Sequence, residues 1–489
     1  MIGMRTKKCG ATAKPNHPAR PRGWIEEEVK GCRFPDARLD RRFGRLLGMI
    51  SHGVGDSIPA ACQDWANTKA AYRFLSNKRV TEEKILAGHF QASAARTKGV
   101  KGTLLVLHDT SEFVYQRGED STLGLIGRPA VGRAKDGTIR HHTVRGILMH
   151  SSLVVTPGGL PLGLAAIKFW TRKQFKGCNA LKRKINPTRV PIEEKESYRW
   201  LENVRQSTSL IHRPADCVHI GDRESDIYEL FCLAGELGTN FLVRTCVDRL
   251  AGDGEHTIAD EMHQSRSKGT YRVQGRTKDG ESYEAVLQVR YERLQVRPPI
   301  GKQKDYPPLT LTVIHATEKT TPKGRERIVW KLLTNLPVNS LKMAVEKLQW
   351  YAMRWKIETF HKILKSGCKA EESKLRTSER LVNLISVFCI ISWRIFWMTM
   401  LRRDGLTRSP QVAFTDTEIR LLDHLLKDKP GGPAPARELS HYITKLARIG
   451  GYLARAGDPP PGNLVMWRGI SRLNDIQLGF TIATELVGN

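Results

Sequence analysis

Two short apolar runs, each ended by an aspartate, constrain this chain more than any other feature. Residues 102–108 read GTLLVLH and stop at Asp109-Thr110-Ser111, and residues 217–220 read CVHI and are closed by Gly221-Asp222-Arg223. A continuous rather than alternating apolar run predicts a strand buried on both faces, as inside an α/β sheet. Residues 145–155 and 160–169 predict two further strands, and residues 193–211 and 225–237 predict helices on either side of the second run. In open α/β sheets ligands gather at the strand tips, so two acids placed there are candidate functional groups. A single aspartate at such a tip more often serves as a cap or turn residue.

A third acid comes from much later in the chain. Residues 349–366, QWYAMRWKIETFHKILKS, predict one helix of about five turns. At about 100° per residue, Tyr351, Arg354, Glu358 and Lys365 fall within an arc of about 60°, while Met353, Ile357, Phe360, Ile363 and Leu364 gather on the opposite, core-facing side. Taken alone, such a polar stripe fits a solvated face as readily as a site.

Composition then weighs on the choice. The chain has 489 residues, with 79 Lys+Arg against 50 Asp+Glu and a formal charge of +29. That length exceeds one core and predicts about two to four domains. The cationic excess, spread from end to end, points to a polyanionic partner, most simply nucleic acid; a ribosome-associated or merely basic protein is the other reading. The nine cysteines are scattered without a C-x-x-C pair, which suits a reducing compartment and no structural zinc. No secretory signal opens the chain, and residues 1–23, basic and rich in Pro, Gly and Ala, predict a disordered tail. The most apolar stretch, residues 381–401, is interrupted by Asn383, Ser386, Ser392 and Arg394, so it predicts a buried helix rather than a membrane span.

Residues 34–77 predict a helical N-terminal region, with Asp36 capping a first helix that carries Arg38, Arg41, Arg42 and Arg45, and Ser57-Ile58-Pro59 opening a second that ends in KAAYRFLSN. A basic stretch with little periodicity occupies residues 172–189. Residues 240–337 alternate, as in 283–289 and 309–314, and predict antiparallel strands inserted before the third acid. Beyond residue 404 the pattern is helical again, with linkers at 427–435 and 458–462 around helices at 438–453 and 466–480. The last two helices fit a packing hairpin within one subunit or a dimer contact.

The stripe spells Y-x2-R-x3-E-x6-K, and with its surroundings, RWKIETFHK, it resembles the glutamate segment of the insertion-sequence-four family of bacterial DDE transposases. LHDTSE and GDRESDIYEL resemble that family's first and second aspartate segments, AAYRFLSN its N-terminal end-binding domain and KLARIGGYLA its C-terminal dimer-forming region. His108 stands where the family usually carries a different residue before the first aspartate. The resemblance runs from about residue 34 to 480 with order and spacing kept.

It implies an α/β protein with a ribonuclease-H-like catalytic core, an inserted antiparallel β-subdomain, and helical N-terminal and C-terminal domains. The expected boundaries are a basic tail at 1–33, an end-binding domain at 34–95, the first part of the core at 96–239, the β-subdomain at 240–340, the core's glutamate helix at 341–403 and a dimerisation domain at 404–489. Asp109, Asp222 and Glu358 are the expected catalytic and metal-binding residues. Oxygen-only ligands select hard cations, here two Mg²⁺ ions with Mn²⁺ as a substitute, able to hold the attacking and leaving oxygens of a displacement at phosphorus. Tyr351, Arg354 and Lys365 are expected on a DNA strand, with Arg and Lys on phosphates, and Arg42 and Arg73 on the transposon end. Trp330, 21 residues before Tyr351 and flanked by Val329 and Leu332, reads as a core residue from its surroundings, whereas the resemblance makes it the acceptor of a flipped base.

The implied activity is cut-and-paste transposition. Hydrolysis frees a 3′-hydroxyl, that hydroxyl forms a hairpin on the opposite strand, a second water opens it, and the end joins target DNA. The implied partners are double-stranded DNA and a second copy of the chain in a homodimeric paired-end complex, with no membrane, in the bacterial cytoplasm near the nucleoid. Two alternatives stay open: a metal-dependent nuclease on the same core without strand transfer, and a non-catalytic DNA-binding relative.

Overall fold

The computed structural model describes residues 23–117, 123–127, 130–133, 138–172, 190–276, 281–402, 408–427 and 437–487. Its centre is a ten-stranded mixed sheet. Strands β1 (Leu104–Val114), β5 (Val144–Val155) and β6 (Pro161–Trp170) are antiparallel neighbours in the order β6-β5-β1. On the other side of β1 lie β7 (Cys217–Gly221) and β8 (Asn240–Arg244), both parallel to it in direction. The short β2 (Leu125–Gly127) pairs with the start of β5, and β3 (Ala130–Arg133) with β4 (Ile139–His141) forms a separate ribbon.

The same sheet then continues through an antiparallel meander. β12 (Val329–Thr334) pairs with β8, and β11 (Leu309–Glu318), β10 (Ser282–Val296) and β9 (Gly269–Arg276) follow outward. The alternating stretch is therefore antiparallel, as its pattern predicts, but it is not set apart from the core. Its first expected strand, at 240, is the parallel partner of β7, because an unbroken apolar FLV segment suits a site covered on both faces.

Helices cover this sheet. Among the described residues, five precede it: α1 (Trp24–Val29), α2 (Ala37–His52), α3 (Ile58–Cys62), α4 (Trp65–Leu75) and α5 (Glu82–Lys98). Residues 24–29, expected to lie in the tail, are thus helical, with Glu28 buried against His89 and Arg96; residues 1–22 lie outside the described residues. Asp36 caps α2, accepting from Arg38 N at 2.8 Å. The single helix expected after Ser57 is two, because Gln63 takes a left-handed backbone (φ 62) and Asp64 recaps the chain by accepting from Asn67 N at 2.7 Å. Phe34, Phe43 and Phe74 bind this bundle together, with ring centroids 5.5–5.9 Å apart.

After β6 come α6 (Tyr198–Ile211) and α7 (Tyr228–Glu236), each starting a few residues later than the periodicity predicts, and α8 (Ile258–Gln264), a short helix within the stretch expected to be all strand, opened by a Thr257–Asp260 capping box. The basic stretch at 173–189 lies outside the described residues. Following the meander are α9 (Leu341–Ala352), α10 (Trp355–Lys362) and α11 (Ser378–Leu401), then α12 (Asp416–Leu425), α13 (Leu439–Ile449) and α14 (Asn463–Val487). Of the linker expected at 427–435, all but residue 427 lies outside the described residues.

Helix α11 is long and apolar enough to cross a membrane, with a mean hydropathy of 1.8 in its most apolar window, yet 100% of that window is buried inside the protein. It packs against α5, β6, α10 and α14. Its polar interruptions have inward uses. Asn383 donates to the carbonyls of Leu75 (3.1 Å) and Val80 (3.2 Å), closing the ends of the N-terminal helices onto the core. Arg394 donates to Ala413 O at 2.6 Å and lies over Trp397. Asn383→Ala leaves two buried carbonyls without that donor, so chemical denaturation should show a loss of about 1–3 kcal/mol; an unchanged midpoint would mean that water replaces both bonds without cost.

Candidate active site

β1 and β7 pair in parallel from Leu104↔Cys217 to Leu107↔Ile220 and then separate. Asp109 and Asp222 each lie two residues beyond that last pair, so the ladder brings both acids to the same level of the sheet. β1 does not end at Asp109 as its apolar run suggests. It continues to Val114 because β5 goes on pairing with it, Asp109 opposite Ser151. Asp222 leaves the sheet and caps a 3-10 turn, accepting from Glu224 N at 2.9 Å.

Glu358 reaches the same place from α10. The expected five-turn helix is broken. Between Met353 and Ile357 the backbone hydrogen bonds shorten to i−3 partners, as in Arg354 N to Tyr351 O at 3.0 Å, and residues Ile363–Gly367 form a π turn. The core-facing side matches its expectation, with Ile357, Phe360, Ile363 and Leu364 buried. The polar residues have separate local partners. Arg354 and Glu358 pair at 2.7 Å, whereas Tyr351 is buried with its ring 5.7 Å edge-on to Trp330, and Lys365 lies 5.7 Å over Phe113.

Arg354 is the cation of the cluster, with Nη1 3.9 Å from Asp109 and Nη2 2.7 Å from Glu358. Burial pushes the Asp109 carboxyl up to about 7; Arg354 opposes that, and the negative charges of Asp222 and Glu358 add to it. His361 Nδ1 is 3.6 Å from Asp109, but burial holds its pKa down to about 3, so the ring is neutral and the contact is not an ion pair. Among the described residues, no three or more of His, Cys, Asp and Glu converge closely enough to hold a metal ion as they stand.

Several neighbours escaped the sequence reading. Arg244, at the end of β8, lies beside the Tyr351 phenol, whose pKa burial raises and Arg354 and Arg244 lower. Behind the acids is a buried polar network: His108 bonds His219 at 2.9 Å and Ser152 at 2.8 Å, His150 bonds Thr110 at 3.0 Å, and His361 bonds Ser151 at 2.9 Å. Burial lowers the pKa of all four rings, which are neutral spacers rather than charges. Their signal was one histidine ending or interrupting each apolar run, which says nothing of which run meets which.

The expected DNA contacts divide by location. Arg42 on α2 and Arg73 on α4 are exposed, far along the chain from the acids. Trp330 is half-buried, packed against the core and against Tyr351.

Because the folded pKa of Asp109 lies above the unfolded value of about 3.9, the folded chain keeps that proton longer. Its favourable contribution is present at low pH and is lost as pH rises towards 7. Asp109→Asn removes this loss. In metal-free buffer, denaturant titration should show the variant gaining on the parent between about pH 5 and about pH 7.5; a difference that stays flat over that range would mean that Asp109 is ionised throughout.

A family model described as transposase DNA-binding matches residues 21–80 of this chain. The matched segment contains α1 to α4 and both exposed arginines, Arg42 and Arg73. Over those residues the chain is similar to the DNA-binding domains of transposases, which supports a DNA-binding transposase.

Proposed function

We propose that this chain is a DDE transposase of the cut-and-paste type, with Asp109, Asp222 and Glu358 as its metal-binding catalytic acids. The observation that carries the reading is Arg354 between Asp109 and Glu358, with Asp222 near enough at the β7 tip to raise the Asp109 pKa, in a chain whose N-terminal helices match transposase DNA-binding domains. The strand order β6-β5-β1-β7-β8, with the first three antiparallel and the last two parallel to β1, supports a ribonuclease-H-like core.

The donor set fits hard divalent cations. All three groups are carboxylates, and Asp109 is held partly protonated by burial and by its acidic neighbours. Mg²⁺ or Mn²⁺ bound there would lower the pKa of an attacking water and stabilise the departing 3′-oxygen. The chain's own residues bind and steer DNA. Arg354 and Lys365 offer phosphate contacts next to the acids, and Arg244 adds a third cation beside Tyr351. Arg42 and Arg73 hold the transposon end. The exposed apolar side chains of α14, among them Leu478, Phe480, Ile482 and Leu486, suit the homodimer that pairs two ends.

Asp222→Ala should abolish metal-dependent nicking of a cognate end while gel-shift binding of that end persists; near-normal nicking would remove Asp222 from the metal set. A pre-cut end carrying a free 3′-hydroxyl separates transposase from simple nuclease, because the transposase joins it to target DNA and the nuclease does not.

Trp330 gives a sharper test. Taking a base out of the stack costs a few kcal/mol, and an aromatic face returns about 1–3 kcal/mol per base. Trp330→Ala should therefore nick well but accumulate nicked ends with little hairpin, and an abasic site at the flipped position should partly rescue it. If nicking and hairpin formation fall by the same factor, Trp330 is a core residue only.

A further inference from the structure

The β1–β7 ladder stops two residues short of both strand acids. Asp109 is fixed by its ladder to β5. Asp222 is held from the β8 side, where Gly221 pairs with Val243 and Asp226 accepts from Cys246 N at 2.7 Å and Val247 N at 2.9 Å, but on the β1 side the ladder stops at Leu107 and Ile220. Something must hold that turn against β1 if the two carboxylates are to share a ligand.

Arg199, in the first turn of α6, touches both sides. Its Nη2 donates to Glu224 Oε2 at 2.8 Å, two residues after Asp222, and to Thr110 Oγ1 at 3.4 Å, the residue after Asp109. Its Nη1 donates to Glu196 O at 2.8 Å, and its guanidinium lies 4.7 Å over the Trp170 ring. Thr110 is held in turn by His150 at 3.0 Å. The Arg199 side chain is 11% exposed, held in place against Trp170, whereas its partner Glu224 is 59% exposed.

We propose that Arg199 is a positioning residue for the acidic centre: one guanidinium staples the turn that carries Asp222 to the strand that carries Asp109, and so sets the separation of the two carboxylates. This rests on the reading of Asp109 and Asp222 as ligands of a shared divalent cation. Arg199 touches neither the cation nor DNA; it acts through Thr110 and Glu224. The planar fork fixes the staple, because Nη1 is tied to Glu196 O while Nη2 alone serves both Glu224 and Thr110.

The test is Mn²⁺ binding to the full chain with a bound end duplex, read by electron paramagnetic resonance, beside nicking rate, end affinity and melting temperature. Arg199→Met keeps the stem over Trp170 and removes the fork. It should weaken Mn²⁺ binding by about 10–100-fold, the usual loss when a group that orients a metal ligand is removed, with end affinity and melting temperature near the parent's. Arg199→Lys should recover part of the loss, and excess Mn²⁺ should restore nicking in both variants. Glu224→Gln should reproduce the defect, and Arg199→Met with Glu224→Gln should be no worse than either alone, since both break one staple. If the parent binds Mn²⁺ in a manner that Asp222→Asn removes, yet Arg199→Met and Glu224→Gln bind it normally, the staple is wrong while the metal centre stands. If the parent binds no Mn²⁺ through Asp222, the metal centre fails and the staple with it. Strictly additive losses in the double variant would likewise overturn a shared staple.

Discussion

Negative charge gathered in a half-buried place must be met by positive charge, and this requirement organises the centre of the protein. Asp109, Asp222 and Glu358 come from three elements separated by more than a hundred residues each, and burial raises the pKa of Asp109 to about 7. Arg354 supplies the compensation that the chain itself provides, pairing with Glu358 at 2.7 Å and approaching Asp109 at 3.9 Å. A guanidinium between two acids beside a third is also where a divalent cation and a DNA phosphate would compete, the cation for the carboxylates and the phosphate for Arg354.

The fold delivers these groups through backbone register more than through side-chain packing. Parallel pairing of β1 with β7 levels the two aspartates, and β5 carries β1 past the point where β7 stops. The tightened turn at 353–357 aims Glu358, and the buried face of α10 anchors it through Ile357 and Phe360. Behind them, neutral histidines bonded to Ser151, Ser152 and Thr110 fill polar space without adding charge. Arg199 then crosses from one acidic segment to the other.

Much of this was legible in the sequence because it is periodic or continuous. The unbroken apolar runs of β1 and β7, the alternation in β10 and β11, and the interrupted apolar run of α11 each carry their own signature. The placement of Asp109 and Asp222 at the same level of the sheet was legible because each follows such a run. What could not be read depends on tertiary pairing. β1 outruns its apolar run because of β5, and β8 joins the core because of β7. Gln63 breaks a helix through one left-handed residue in a sequence with no Gly or Pro at that point. The overwound and π turns around Glu358 lie where α10 is fitted onto β1 and α11, and an ideal helical wheel has no place for them. Arg199 and Arg244 looked like two more cations in a chain of +29.

The most direct test of the acidic centre is anomalous diffraction from crystals of the chain bound to a pre-cut DNA end and soaked in Mn²⁺. Anomalous density among Asp109, Asp222 and Glu358, next to the 3′-hydroxyl, is the predicted result. Density elsewhere, or an ordered DNA end with Arg354 still bridging the acids and no Mn²⁺ among them, would contradict a metal-dependent DDE transposase.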